Sequence, residues 1–116
     1  MTIKEKMKEL LLRDGVTPEE KQRFRDNFTK WETKFTGILD KAKDIDSKSK
    51  ELGKINYLML QGGVEGLIEH CVTTREVFEE VGGYDDMVKM VQDHIDFLIA
   101  GKRTIDNALG NGTGAN

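Results

Sequence analysis

Two histidines and one cysteine are the side chains of this sequence best suited to metal binding or acid–base catalysis: His70, Cys71 and His94. A zinc site takes about four nitrogen or sulfur ligands, but the chain contains neither a Cys-x-x-Cys nor a His-x-x-x-His pair. Di-iron bundles use Glu-x-x-His pairs, whereas Leu67 and Val91 stand three residues before the two histidines. Cys71 lies on an apolar helical stripe, which is typical of a buried thiol. We therefore expect no cofactor, no metal site and no catalytic residue, and predict a non-enzymatic protein.

Two glycine-rich segments, at residues 62–66 and 110–114, do not match a phosphate-binding loop. The first lacks a following Gly-Lys-Ser/Thr, and no helix follows the second to supply backbone N–H groups. We predict a hinge or turn at 62–66. We also predict a disordered tail at 110–116, because this segment offers nothing to bury.

The elements that must position these residues are helices. Thr17-Pro18-Glu19-Glu20 combines a threonine cap, a proline at the first helical position and a glutamate that returns the cap's hydrogen bond, so a helix begins at Pro18. Its seam positions recur in alternating steps of four and three residues, a repeat typical of coiled-coil packing. They are Phe24, Phe28, Trp31, Phe35, Ile38, Ala42, Ile45, Ser49 and Leu52.

The length of this second helix limits the fold. If the helix ran to residue 60 it would be about 65 Å long, roughly twice the diameter of a compact domain of this size. The helix therefore breaks near residues 47–53, where serines and a glycine weaken it, or the molecule is elongated. Further helices are predicted at about 2–13, 64–81 and 84–109. We predict one all-α domain over residues 1–109, an antiparallel helical bundle of three to four helices with a long heptad-patterned, coiled-coil-like second helix.

Composition and charge exclude several classes of protein. The 116 residues carry 18 basic and 21 acidic side chains, and a net charge of −3 does not favour a general polyanion binder. We expect no signal peptide, and no run approaches the roughly 20 apolar residues of a membrane span. One cysteine cannot form an internal disulfide, which favours a reducing compartment. We therefore expect a cytoplasmic protein that does not enter a membrane.

The charge is divided unevenly along the chain. Residues 1–54 hold 14 basic and 11 acidic side chains, a net charge of +3, while residues 55–116 hold 4 basic and 10 acidic ones, a net charge of −6. Two interpretations follow. Either the two halves fold against each other, with opposite charges beside the apolar seams, or the basic half faces an acidic partner.

Two surfaces are candidates for interaction. The first is a seam that packs against helices of the same chain or of a partner: Phe24, Phe28, Trp31, Phe35, Ile38 and Ile45. The second is a basic face in which each lysine precedes a seam position: Lys34, Lys41 and Lys48. We expect an adaptor or assembly subunit acting through coiled-coil surfaces on another helical protein or on itself, as a homo-oligomer. The alternative is an accessory nucleic-acid-binding protein that uses its basic N-terminal half in an oligomer.

Overall fold

The structure, a computed structural model, describes residues 1–110 and contains four helices. They are α1 (Ile3–Asp14), α2 (Pro18–Lys48), α3 (Lys50–Val81) and α4 (Asp85–Gly110). No β-strand occurs within these residues, so the predicted all-α bundle is confirmed. Gly110, the first residue of the predicted tail, is the last residue of α4; residues 111–116 lie outside the described part of the chain.

Local signals define the ends of the helices. Thr17 and Glu20 form the predicted capping box: the backbone N–H of Glu20 donates to Thr17 Oγ1 at 3.1 Å, and that of Thr17 donates to Glu20 Oε1 at 3.0 Å. Gly15 and Gly82 end α1 and α3 with φ values of +69° and +82°. This left-handed backbone favours glycine because a side chain would clash there.

The second helix breaks at a single residue, Ser49. Its backbone is extended, and its N–H still donates to the carbonyl of Ile45 at 2.9 Å while its Oγ accepts from the N–H of Leu52 at 3.3 Å. One serine therefore ends α2 and caps α3. The molecule is also elongated, with principal extents of 52 × 27 × 21 Å. Both expected outcomes are therefore present: the long helix is broken, and the molecule is elongated.

The predicted turn at residues 62–66 is wrong, and so is the predicted start of a helix at residue 64. α3 is continuous from Lys50 to Val81 and passes through four glycines without a positive φ value. Each glycine costs about 1 kcal/mol in a helix interior. Apolar residues on the inner side of the helix outweigh that cost by packing into the core; they include Leu60, Val64 and Leu67.

α3 is antiparallel to both of its long neighbours. Gln61 donates to Asp106 at 2.8 Å near one end of the α3–α4 contact, and Arg75 donates to Gln92 near the other end. Residue numbers therefore run in opposite directions along this pair. α2 and α3 are likewise antiparallel, since Phe24 near the start of α2 contacts Phe78 near the end of α3. α2 and α4 therefore run in the same direction.

The core consists of two apolar clusters. The first joins α2, α3 and α4 and consists of Phe35, Ala42, Tyr57, Val64, Leu98 and Ile105. The second lies near the α3–α4 turn and consists of Phe78, Met87, Val91 and Ile95, with Leu11 of α1 packed against it. Among the four helices, none combines the length and the apolar character needed to cross a membrane.

Candidate functional site

The most unusual polar feature is His94 on α4, the one buried polar side chain among residues 1–110, with 5% of its surface exposed. Its Nδ1 lies 2.7 Å from Oε2 of Glu32 on α2. The imidazole stacks on Phe28 with ring centroids 4.0 Å apart and planes 11° apart, and Trp31 meets it edge-on at 5.9 Å. A heptad-spaced helix thus supplies both the carboxylate and the aromatic walls around the histidine.

The chemistry open to this pair is limited by what surrounds it. A carboxylate oxygen accepts hydrogen bonds, so this contact pairs Glu32 with the tautomer of His94 that carries a proton on Nδ1. An open cleft of about 430 Å³ lies beside His94, and Thr29 is the one hydroxyl side chain that lines it. Its Oγ1 donates to the carbonyl of Arg25 at 3.2 Å. Thr29 is thus bonded within α2, and the His94–Glu32 contact forms a polar link between α2 and α4.

The other side chains considered for chemistry are separate from this pair. His70 is exposed on α3, and Cys71 is half-buried between the two core clusters. Burial raises the pKa of the Cys71 thiol, which favours its protonated form. Within residues 1–110, no group of three or more His, Cys, Asp or Glu side chains is placed to hold a metal ion.

The aromatic part of the predicted seam packs inside the chain. Phe24 meets Phe78 of α3 edge-on at 6.5 Å, and Phe35, which is 2% exposed, contacts a ring of α4 at 6.0 Å. Ile45 is half-buried, whereas Ile38 is 44% exposed. Of the seam residues, Ile38 is the one left exposed enough to contact another molecule, and that contact stays a prediction. Coiled-coil packing of α2 also stays a prediction.

The predicted basic face lies on the solvent side of α2. Lys34, Lys41 and Lys48 are all exposed, and their seven-residue spacing places them on one side of the helix. Lys48 forms an ion pair with Asp44 at 3.0 Å. Lys34 and Lys41 form no ion pair with residues 1–110, so their charges face solvent.

An uncovered apolar surface that sequence reasoning missed lies on α3, opposite the side that packs into the core. Its four bulky side chains are each at least 52% exposed, and glycines continue the surface toward the C-terminal end of the helix. We define the α3 outer face as Leu52, Ile55, Leu58, Met59, Gly62, Gly63 and Gly66.

The glycines of this face are not required by packing within the chain. A Cβ atom added at Gly62, Gly63 or Gly66 would have no neighbour within 4 Å. At Gly53 and Gly101, by contrast, an added Cβ would overlap other parts of the protein. The bare backbone of the α3 outer face is therefore open to an approaching helix.

Further along α3, the same side of the helix is covered by α1. Glu80 lies 18 residues after Gly62, which is five complete turns and hence the same direction. Lys4 of α1 lies 2.6 Å from Glu80 and 3.1 Å from Glu76, and Lys8 also pairs with Glu80. These hydrogen bonds lower the pKa of Glu80 and raise that of Lys4. α3 thus presents one side that α1 contacts near its C-terminal end and that is bare in its N-terminal half.

The sequence contains a signal for this face. Its residues at 52, 55, 59, 62 and 66 are spaced by three and four residues, the period already recognised in α2. The prediction of a turn at 62–66 interrupted the pattern, so the stripe was not recognised as one helical surface.

Comparison of the chain with protein-family models, with curated proteins and with solved structures found no match.

Proposed function

We propose that this chain is a non-enzymatic helical interaction protein of the cytoplasm, an adaptor or assembly subunit that binds a partner helix on the α3 outer face. The observation that carries the proposal is the contrast along one side of α3. α1 contacts that side near the C-terminal end of the helix, whereas the N-terminal half exposes four bulky apolar side chains together.

Two physical arguments support helix docking over other uses of this surface. A contiguous exposed apolar patch marks an interaction site, whereas single exposed apolar residues do not. Glycines in a helix interior also lower its stability, and this cost is recovered where another backbone comes close. A helix that presents apolar side chains and a glycine groove fits an apolar helical partner better than a polar ligand.

Photocrosslinking tests the docking function directly. A photoreactive phenylalanine derivative placed at Met59 should give a crosslinked product of defined mass in cells that make this chain. The same group at Arg103, which is exposed on α4, is the matched control and should give none. Crosslinking at Met59 no greater than at Arg103 would show that the α3 outer face has no partner.

A second candidate function is polyanion binding by α2, and it is favoured by the unpaired charges of Lys34 and Lys41. Such binding should weaken steeply with added salt because it releases counterions from phosphates. Lys34→Glu combined with Lys41→Glu should abolish binding of a labelled oligonucleotide in fluorescence anisotropy. Lys6→Glu, on the exposed side of α1, is the control. Absence of binding by the wild-type chain at low salt removes this candidate.

A further inference from the structure

We infer that the partner on the α3 outer face is a second copy of this chain, packed antiparallel across a two-fold axis near Met59. This inference rests on the proposed docking function. The face is self-complementary, since its N-terminal half carries four bulky side chains and its C-terminal half carries three glycines. Reversing the direction of one copy lays the bulky half of each face on the glycine half of the other, as an isologous interface requires.

Helical spacing defines the register of this pair. Met59, Gly62, Gly63 and Gly66 stand at i, i+3, i+4 and i+7, the four corners of the hole that one side chain fills in packed helices. Three of the four corners have no side chain, so the hole is wide. Ile55 of one copy, which is 55% exposed in the single chain, fills the hole of the other copy. The two-fold axis generates a second, identical contact in which the two copies exchange roles.

The position of α1 selects the antiparallel arrangement. Glu76, where α1 is bound, lies about 26 Å along α3 from Met59 at 1.5 Å per residue. The α3 helix of the second copy extends only about 14 Å past the axis in that direction, to its first residue, Lys50. α1 therefore lies beyond the end of the partner helix. In a parallel pair, the α1 helices of both copies would meet and hold the α3 helices apart.

Opposite charges beside the α3 outer face also favour the antiparallel pair. In this register Lys54 of one copy lies beside Glu65 of the other, offset by about 2 Å along the helix, and the pair occurs twice. Both side chains are exposed in the single chain, and within residues 1–110 the one ion pair of Glu65 is with Lys102, at 3.8 Å. Glu51 and Glu69 bring like charges to the ends of the interface, so apolar contact carries the affinity and the expected dissociation constant is micromolar.

Sedimentation equilibrium across the micromolar range tests the self-association. The wild-type chain should change from monomer to dimer, and Ile55→Lys should raise the dissociation constant at least about 30-fold, as for a central interface residue. Ile38→Lys places the same substitution on the predicted seam of α2 and should leave the constant within about 2-fold. If Ile38→Lys dissociates the dimer and Ile55→Lys does not, the inference is wrong.

Filling the glycine hole separates pairing from folding. Gly62→Leu should abolish the dimer without lowering the thermal stability of the monomer, because leucine is a better helix former than glycine and no neighbour lies within 4 Å. Gly37→Leu makes the same change on the exposed side of α2. It should stabilise the chain and leave dimerisation intact. A Gly62→Leu chain that still dimerises with unchanged affinity would overturn the register.

Disulfide trapping in a Cys71→Ser background tests the direction of the helices. Met59→Cys, next to the axis, should crosslink two copies on oxidation. Leu52→Cys should not, because its two copies are about 20 Å apart in the antiparallel pair, but a mixture of Leu52→Cys and Gly66→Cys chains should crosslink. Efficient crosslinking of Leu52→Cys to itself would indicate a parallel pair and contradict the inference.

The two proposals fail in different ways. A chain that stays monomeric throughout the micromolar range, yet is crosslinked through Met59 to a protein of different mass, refutes self-pairing and leaves helix docking as the function. A chain that stays monomeric and is crosslinked to nothing refutes both.

Discussion

Gly101 of α4 lies directly against the ring of Phe35 of α2. A substitution at residue 101 therefore tests how closely α2 and α4 pack in the core. A Cβ atom on residue 101 would lie 3.0 Å from Cζ of Phe35 and closer still to Cε2. The ring cannot swing into solvent, because Phe35 is 2% exposed and lies between Trp31, 5.4 Å away, and Phe97, 6.0 Å away. Gly101→Ala should therefore force the helices or the ring to move.

The expected magnitude follows from two opposing effects. Replacing glycine by alanine in a helix interior stabilises by about 1 kcal/mol, whereas overpacking a filled core costs about 1–3 kcal/mol. Gly101→Ala should therefore lower the free energy of unfolding by up to about 2 kcal/mol. Gly37→Ala gains the same helix propensity with no neighbour within 4 Å, so it should raise that free energy by about 0.5–1 kcal/mol. The two substitutions are chemically identical and should have opposite signs.

Urea unfolding followed by far-UV circular dichroism measures both variants, and a difference of 1 kcal/mol corresponds to about 4 °C in Tm for a chain of this size. Phe35→Leu in the Gly101→Ala background should recover part of the loss, because the smaller side chain leaves room for the new methyl group. The coupling in this double-mutant cycle should be about 1 kcal/mol. If Gly101→Ala stabilises the chain as much as Gly37→Ala does, α2 and α4 are not in contact at this point.

Two further predictions concern polar contacts between helices. Glu32→Ala should cost about 1–3 kcal/mol in urea unfolding because it leaves the buried Nδ1–H of His94 without an acceptor; His94→Phe in that background should regain stability, since the new ring still stacks on Phe28. Lys102 holds the pKa of Asp106 below its usual range, so this carboxylate stabilises the fold above about pH 4 and ceases to do so as the pH falls through its folded-state pKa. The destabilisation by Asp106→Asn should be present at pH 7 and should diminish as the pH falls below about 4; a loss that does not change with pH would contradict the assignment.

The features that the sequence predicted correctly depend on few, neighbouring residues. The capping box at Thr17 and Glu20 needs four consecutive positions, so it was readable without knowledge of the fold. A break near residues 47–53 was one of two expected outcomes, because serines and a glycine weaken a helix there; the role of Ser49 as a cap was not predicted. The aromatic seam of α2 was found by its period, although the period alone left open whether α3, α4 or another molecule would cover it.

The structural features that the sequence did not predict correctly depend on packing between segments that are far apart in the sequence. The turn at residues 62–66 was inferred from local glycine content, but Leu60, Val64 and Leu67 hold those residues in a helix through contacts with the core. The pairing of His94 with Glu32 joins residues 62 positions apart. It depends on the relative rotation of two helices, which no local pattern encodes. The residues of the α3 outer face have helical spacing in the sequence, but they form one surface only if the helix continues through residues 62–66.

The charge division of the sequence is used partly inside the chain. Lys4 of α1 pairs with Glu80 of α3, and Lys21 at the start of α2 pairs with Asp86 of α4 at 2.8 Å. Both pairs connect the basic half to the acidic half, as the intramolecular interpretation expected. Neither pair includes Lys34 or Lys41, so pairing between the two halves does not account for the positive charges in the middle of α2.

Self-pairing through α3 and polyanion binding through α2 are linked by their geometry. The proposed dimer uses no residue of α2, so it leaves Lys34 and Lys41 exposed on both copies and doubles the number of cations that a single polyanion can contact. Ile55→Lys adds a positive charge, which by itself should strengthen binding to phosphates. If the substitution instead weakens oligonucleotide binding, the loss must come from the missing second copy. If it strengthens binding, the basic face acts from the monomer and the two surfaces are independent.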